Sequence, residues 1–241
     1  MGIDIGNANA VSLNESHEYR LITGVTRNPG VSKKGKLQVK CVYRRTKDGD
    51  FERDGNPFIY ALKRNGRFSI TNAELYRFKP SFEQIIANMT NGMNVDFVLG
   101  MPSSSNVVTH FGRRVARKLK AVYIDDYFIK KTVGEVLAEF DMDAVRKQHK
   151  RRIKSLLNTY GKMNQESEIS LKKVDNNLRH YFEPVLHNPN YSGVKVTGDV
   201  LLADDLLSTG TTLLSSEKVL AEQGVTVQGA FCLLSDLSTR K

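Results

Sequence analysis

The residues best suited to chemistry lie close together in the segment Val200–Thr212, whose sequence is VLLADDLLSTGTT. An apolar run ends in two adjacent acids, Asp204 and Asp205, and after two leucines comes a loop of small residues, Ser208–Thr212. Adjacent carboxylates repel each other, and this repulsion tends to raise the pKa of one of them. Such a pair makes sense where the acids accept hydrogen bonds from neighbouring hydroxyl groups of a sugar, with a Mg²⁺ ion nearby.

The loop Ser208–Thr212 is suited to binding an anion. It runs into a predicted helix, and the backbone N–H groups at a helix start favour a phosphate group. Gly210 allows the backbone to approach a ligand closely or to take a positive φ. Further donors are the hydroxyl groups of Ser208, Thr209, Thr211 and Thr212. A merely capped helix needs one hydroxyl and no acid pair, so the segment as a whole favours a site for a phosphorylated sugar.

The elements that must position this segment follow a strand-helix-strand order. Apolar runs predict buried parallel strands, and apolar residues at a spacing of three or four predict helices. The predicted strands are Val95–Met101, Ala121–Ile124, Lys195–Ala203 and Val225–Leu234, and the predicted helices are Val107–Leu119 and Thr211–Gln223. This order predicts an α/β fold with a central, mainly parallel sheet and flanking helices.

The other predicted elements are more local. An alternating pattern indicates a strand at Leu37–Tyr43, a turn is expected at Lys47–Asp50, and helices are expected at Pro57–Lys63 and Glu83–Met89. Residues 132–182 form a long, basic and mostly helical insertion. Within it, Asn158–Glu168 is predicted to be a mobile connection and Ser170–Phe182 a further helix.

The segment Val200–Thr212 closely resembles the signature of type I phosphoribosyltransferases that binds 5-phosphoribosyl-1-pyrophosphate (PRPP). The resemblance implies the type I phosphoribosyltransferase fold with a small hood, and Mg²⁺ as the cofactor. It also implies that Asp204 and Asp205 bind the ribose and that Ser208–Thr212 binds the 5-phosphate. The reaction would pass the phosphoribosyl group to a nucleobase or another nucleophile with release of pyrophosphate.

In this family a loop after an earlier strand binds pyrophosphate, often through a cis non-proline peptide bond. The loop at that place here consists of Met101, Pro102, Ser103, Ser104 and Ser105. An ordinary loop containing proline and serine is the alternative interpretation. A lid with cationic side chains should also close over pyrophosphate, and Lys130 and Lys131 are its first candidates. The basic run Arg146–Arg152 is the second candidate.

Three further segments resemble the ComF-like subgroup of these transferases: Tyr60–Lys63, Phe111–Ala116 and Val174–Phe182. The resemblance covers residues 55–241, which we take as the phosphoribosyltransferase-like domain. Residues 1–54 match no pattern and are assigned no role beyond a possible part in the hood. A nucleobase acceptor would stack on an aromatic side chain such as Phe58, Tyr60 or Phe231, although packing in the core is the more common role of such residues.

Composition narrows the setting. The 241 residues carry a formal net charge of +10, which favours anionic partners. No apolar run reaches the roughly 18 residues of a membrane span, and Met1–Ala10 lacks the pattern of a secretory signal. The two cysteines, Cys41 and Cys232, form no zinc-binding motif. We therefore expect a cytoplasmic protein without a membrane partner, and a homodimer.

Two alternatives to a transferase remain open at this stage. The chain could be a non-catalytic PRPP or nucleotide sensor that binds nucleic acid or a nucleoprotein partner through its basic insertion, in a competence or host-conflict system. A metal-dependent phosphohydrolase with Asp204 as the nucleophile is disfavoured, because the two acids of that pattern are separated by one residue and these two are adjacent.

Overall fold

The computed structural model describes residues 1–47, 54–64 and 66–239. Its strands are β1 (Gly2–Ile5), β2 (Val11–Asn14), β3 (Leu21–Ile22), β4 (Gly30–Lys34), β5 (Leu37–Lys47), β6 (Phe97–Gly100), β7 (Val122–Ile124), β8 (Phe128–Lys130), β9 (Val185–His187), β10 (Asp199–Leu206) and β11 (Thr226–Thr239). Its α-helices are α1 (Asn56–Lys63), α2 (Asn72–Arg77), α3 (Lys79–Thr90), α4 (Val107–Leu119), α5 (Val133–Ala138), α6 (Lys150–Gly161) and α7 (Thr211–Glu222).

The central sheet has seven strands, in the order β3-β5-β11-β10-β6-β7, with β4 paired to β5. The pairs β5–β11, β11–β10, β10–β6 and β6–β7 are parallel. Strands β3 and β4 join the β5 edge in antiparallel pairing. The prediction of an α/β fold with a mainly parallel central sheet is therefore confirmed.

Strand β10 lies in the middle of this sheet and is covered on both faces. Its residues from Val200 to Ala203 have no measurable exposure. Leu201 and Ala203 pack in one apolar cluster with residues of α1, α3 and α4, whereas Val200 and Leu202 pack in another with residues of α7. Alternation along the strand thus sends successive side chains of β10 to opposite layers of helices.

The chain between β8 and β9 folds around an apolar cluster of its own. Strands β8 and β9 pair with each other in a separate antiparallel sheet and enclose α5 and α6 in sequence. The cluster is built from side chains of all parts of this segment, including Val133, Ile153, Tyr160, Leu178 and Phe182. We call residues 131–184 the insertion.

Two predictions within the insertion are wrong. Ser170–Phe182 forms no continuous helix, but two short 3₁₀ turns at Leu171–Lys173 and Arg179–Tyr181. The predicted mobile connection Asn158–Glu168 begins inside α6, which continues to Gly161. The polar residues at the end of this helix face solvent, so their polarity reflects an exposed surface instead of a linker.

Most predicted elements outside the insertion are confirmed. The helix at Val107–Leu119 has the predicted bounds, and the predicted helix at Glu83–Met89 is part of the longer α3. The turn predicted at Lys47–Asp50 falls mostly outside the described residues. Residues 1–54 supply β3, β4 and β5 to the central sheet, and Ile3, Val11 and Leu13 pack in the same cluster as α1. A part in a hood stays a prediction for them.

No helix in the described part of the chain is both long and apolar enough to cross a bilayer.

The packing of α4 on β7 gives a stability prediction. A Cβ atom at Gly112 would lie 2.2 Å from Cε2 of Tyr123, whose ring rests against the helix. We expect Gly112→Ala to destabilise the protein by roughly 1–3 kcal/mol through overpacking, despite the better helix propensity of alanine. Thermal unfolding measures the effect. Gly161→Ala in α6 is the control, because nothing lies within 4 Å of its new Cβ atom; equal melting temperatures of the two variants would contradict the packing argument.

Candidate functional site

A cavity of about 90 Å³ lies where β10 ends and α7 begins. Its wall is formed by Asp204, by the loop and helix start Ser208–Thr212, and by two residues of the insertion, Leu171 and Arg179. The volume exceeds the roughly 30 Å³ that a water molecule occupies in the liquid. The cavity therefore has room for a small polar group, and an acid, a base and hydroxyl groups all face it.

The loop Ser208–Thr212 takes a conformation suited to an anion. Gly210 precedes the first helical residue with φ +81°, in the left-handed region that favours glycine. A Cβ atom there would also lie 2.7 Å from Cγ of Lys34. No side chain caps the start of α7, and Oγ1 of Thr209 lies 2.9 Å from Oγ1 of Thr211. The first N–H groups of a long helix thus remain available beside the cavity.

The two acids point to opposite faces of the sheet. Asp204 follows Leu202 on the α7 side and lines the cavity, and its Oδ1 accepts a hydrogen bond of 2.8 Å from the backbone N–H of Asp205. Asp205 follows Ala203 on the α1 side, where its Oδ2 is 2.6 Å from Nζ of Lys63. One acid therefore meets the cavity directly, while the other is held by a lysine at the end of α1.

The electrostatic state of the pair follows from burial. Removal from water raises the pKa of Asp204 to about 8, and the negative charge of Asp205 adds to this increase. The positive charge of Lys63 acts in the opposite direction with a smaller effect. Asp204 therefore holds a proton near neutral pH, which lowers its repulsion towards an anion in the same cavity.

The loop Met101–Ser105 lies beside Asp205. The backbone N–H of Met101 donates to the carbonyl of Ala203 at 2.9 Å, and Oγ of Ser103 lies 3.4 Å from Oδ2 of Asp205. Pro102 is half-buried, and Ser104 is exposed. The expectation of a cis non-proline peptide bond is wrong, since all five residues are described and none of their peptide bonds is cis. A trans backbone still brings the loop to the end of β10 because β6 pairs with β10.

The two lysines predicted to close a lid lie elsewhere. Nζ of Lys130 is 3.3 Å from Oε2 of Glu168, and Lys131 is buried and paired with Glu139. Neither lysine belongs to the wall of the cavity. In the second candidate, the run Arg146–Arg152, Arg152 is paired with Asp175. The lid role of these residues stays a prediction.

Three cations near the site were not singled out in the sequence as site residues. Lys63 holds Asp205, Lys34 packs over Gly210, and Arg179 donates from Nη1 to Oγ of Ser208 at 3.2 Å. Lys63 and Arg179 lie within the segments Tyr60–Lys63 and Val174–Phe182 that carry the ComF-like resemblance, so that resemblance held a signal for them. No pattern in the sequence marks Lys34, which reaches the site only through the pairing of β4 with β5.

Comparison with known proteins adds no relative. A scan against protein-family models gives no match, and a search of curated proteins gives none either. In the described part of the chain, no three His, Cys, Asp or Glu side chains are grouped to hold a metal ion. The argument for function therefore depends on the site itself.

The raised pKa of Asp204 gives a prediction about stability and pH. An acid whose pKa is about 8 in the folded chain and ~4 in the unfolded chain binds its proton more tightly when folded, so the free energy of unfolding falls as pH rises across that window. Asp204→Asn removes this titration. We expect the variant to melt above the wild type, with an advantage that grows from about pH 5 to about pH 8.

Scanning calorimetry across this pH range measures the difference, and each kcal/mol corresponds to about 2–4 °C in a chain of this size. Asp199→Asn, at the opposite end of the same strand, is the matched control. An advantage of Asp204→Asn that stays constant with pH would show that Asp204 is not a buried, protonated acid.

Proposed function

We propose that the chain is a phosphoribosyltransferase-like protein of the type I fold, which binds PRPP with Mg²⁺ and transfers the phosphoribosyl group to a nucleobase or another nucleophile. One observation carries this proposal. At one end of β10, a cavity beside the uncapped start of α7 adjoins two acids on opposite faces of the strand. Open α/β sheets bind ligands at this end of their strands.

Each part of PRPP has a counterpart at this strand end. The 5-phosphate would lie in the cavity against the N–H groups of Ser208–Thr212, and the ribose hydroxyls would bond to Asp204 and Asp205. The pyrophosphate would lie at Met101–Ser105, since Ser103 reaches Asp205. A protonated Asp204 supports this arrangement because a charged carboxylate would repel the phosphate in the same cavity.

The chain's own residues would mainly hold and orient the substrate. Lys63 fixes the carboxylate of Asp205 by a short ion pair, so this acid meets the ribose in one orientation. Mg²⁺ prefers oxygen ligands and keeps substrate phosphates among them, and it would neutralise the charge of the leaving pyrophosphate. The oxygens of Asp205 and Ser103 are the nearby protein groups that fit such an ion.

The acceptor side is narrowed by exposure. Phe58 and Phe231 are 3% and 1% exposed and pack in the core, so they are closed to a nucleobase. Tyr60 is 40% exposed and stacks on Phe68 with 6.2 Å between ring centroids. It lies one helical turn before Lys63 on α1, which places it on the Asp205 side of the sheet. Tyr60 is therefore our candidate for stacking an acceptor base.

The site assignment predicts the effect of removing both acids. We expect Asp204→Asn with Asp205→Asn to lose at least about a hundredfold in PRPP affinity, because two hydrogen bonds to charged or strongly polar groups are weakened together. Isothermal titration calorimetry with PRPP and Mg²⁺ measures the loss. The control is Asp96→Asn with Asp199→Asn, a second pair of acids in mutual contact at the other end of β10.

Unchanged affinity in the double variant at the site would contradict the assignment. Pyrophosphate release from PRPP with a panel of nucleobases then separates the enzyme from the non-catalytic sensor. Turnover that depends on a base supports the transferase, and binding of PRPP without turnover supports the sensor.

A second function, binding of nucleic acid, is favoured by the surface of α4. Arg113, Arg114, Arg117, Lys118 and Lys120 are all exposed within and just after this helix, and none pairs with a described carboxylate. Like charges three and four residues apart destabilise a helix by roughly 0.2–0.5 kcal/mol per pair. An anionic backbone would offset this cost. The sequence pointed to the insertion for this role, but several basic residues there are paired with acids.

This second function predicts a salt-dependent interaction. We expect Arg113→Gln, Arg114→Gln and Arg117→Gln together to weaken binding to a duplex oligonucleotide and to reduce the slope of log K against log salt by about 2–3. Fluorescence anisotropy at several salt concentrations measures both. Lys147→Gln, Arg151→Gln and Lys154→Gln in the insertion form the control with the same charge change. A larger loss in this control would place the contact on the insertion instead.

A further inference from the structure

We infer that Arg179 binds the phosphate of the ligand, and that the insertion thereby acts as a phosphate-specific cover of the cavity. This inference depends on the proposed function and adds a residue from outside the central sheet to its phosphate site. It assigns the insertion a role in ligand selection.

The guanidinium group of Arg179 is fixed towards the cavity. Its Nε donates to the carbonyl of Val174 at 2.8 Å, and its Nη2 donates to the carbonyl of Lys172 at 3.1 Å. The remaining nitrogen, Nη1, points at Oγ of Ser208, 3.2 Å away in the phosphate loop. Two carbonyl contacts thus orient the planar group, and N–H groups on the cavity side remain free for an anion.

The charge of Arg179 lacks an acidic partner among the described residues. Its printed contacts are all to carbonyl or hydroxyl oxygens, whereas Lys130, Lys131 and Arg152 of the same region are paired with carboxylates. Partial burial also lowers the pKa of Arg179, because removal from water disfavours the charged form. A phosphate in the cavity would supply the missing negative charge and the bidentate oxygens that a guanidinium group prefers.

The position of Arg179 is tied to the core of the insertion. Its 3₁₀ turn is flanked by Leu178 and Phe182, which are 1% and 2% exposed in the apolar cluster of the insertion. Leu171, from the preceding 3₁₀ turn, also lines the cavity. The insertion therefore presents the arginine on a packed surface, so the position of the guanidinium group is set before a ligand arrives.

The pocket chemistry separates two ends of PRPP. Arg179 and Ser208 lie together at one side of Asp204, while Met101–Ser105 adjoins Asp205 on the other face of the sheet. A ligand with a terminal phosphate on ribose should feel the loss of Arg179. Pyrophosphate alone, which we assign to the second loop, should not.

The test compares Arg179→Gln with Arg151→Gln, an exposed arginine of the same insertion. Calorimetric titrations use ribose 5-phosphate, ribose and pyrophosphate with Mg²⁺. We expect Arg179→Gln to weaken binding of ribose 5-phosphate roughly 10- to 100-fold and to leave pyrophosphate binding unchanged. Arg151→Gln should match the wild type for all three ligands. Arg179→Lys keeps the charge without the planar group and should recover only part of the affinity.

The outcomes are distinct. Wild-type affinity for ribose 5-phosphate in Arg179→Gln, or an equal loss for pyrophosphate, overturns the inference while the proposed function stands. A wild-type protein that binds no phosphorylated ribose overturns both. If Arg179→Gln melts below the assay temperature, Arg179→Lys decides, because full affinity of the lysine variant for ribose 5-phosphate contradicts recognition by the guanidinium group.

Discussion

Burial of β10 between two layers of helices forces its polar residues to gather at one end of the strand. From Val200 to Ala203 the strand has no contact with water, so the first acids along it appear only where the sheet ends. Alternation then sends Asp204 and Asp205 to opposite faces. The chain must turn directly afterwards into α7, which packs on the same strand, and Gly210 makes this turn possible with its positive φ. Acids, loop and helix start are thus one consequence of a single buried strand.

This arrangement keeps two unfavourable features that a purely structural strand end would not need. Asp204 is removed from water beside a second acid, and the start of α7 lacks a side-chain cap. Both costs would be offset by a ligand that carries hydroxyl groups and a phosphate. Lys63, Lys34 and Arg179 come from three distant parts of the chain and surround the same strand end with positive charge. Such local frustration is typical of functional sites.

The parts that could be predicted from the sequence are those that depend on neighbouring residues. The unit of β10, its loop and α7 is local, and its apolar run, glycine and hydroxyl residues specify it. The failed helix at Ser170–Phe182 is instructive, since Leu171, Val174, Leu178 and Phe182 have helical spacing. The polar residues Asp175–Asn177 between them compete for backbone hydrogen bonds and favour turns, so the apolar side chains reach the core of the insertion without a helix.

Contacts between distant segments could not be predicted in this way. The pairing of β5 with β11 places Cys41 opposite Cys232, and the pairing of β4 with β5 carries Lys34 to Gly210. Neither contact leaves a periodic signal in one sequence. The cations of the site were missed for the same reason, because each depends on a tertiary contact, whereas Lys130 and Lys131 were favoured by chain position alone.

A crystal structure of the protein with ribose 5-phosphate would test the central claim most directly. The account predicts a phosphoryl group in the cavity, within hydrogen-bond distance of the backbone N–H groups of Gly210–Thr212, with the ribose hydroxyls turned towards Asp204 and Asp205. A ligand bound at another place, or a sugar turned away from both acids at this strand end, would contradict it.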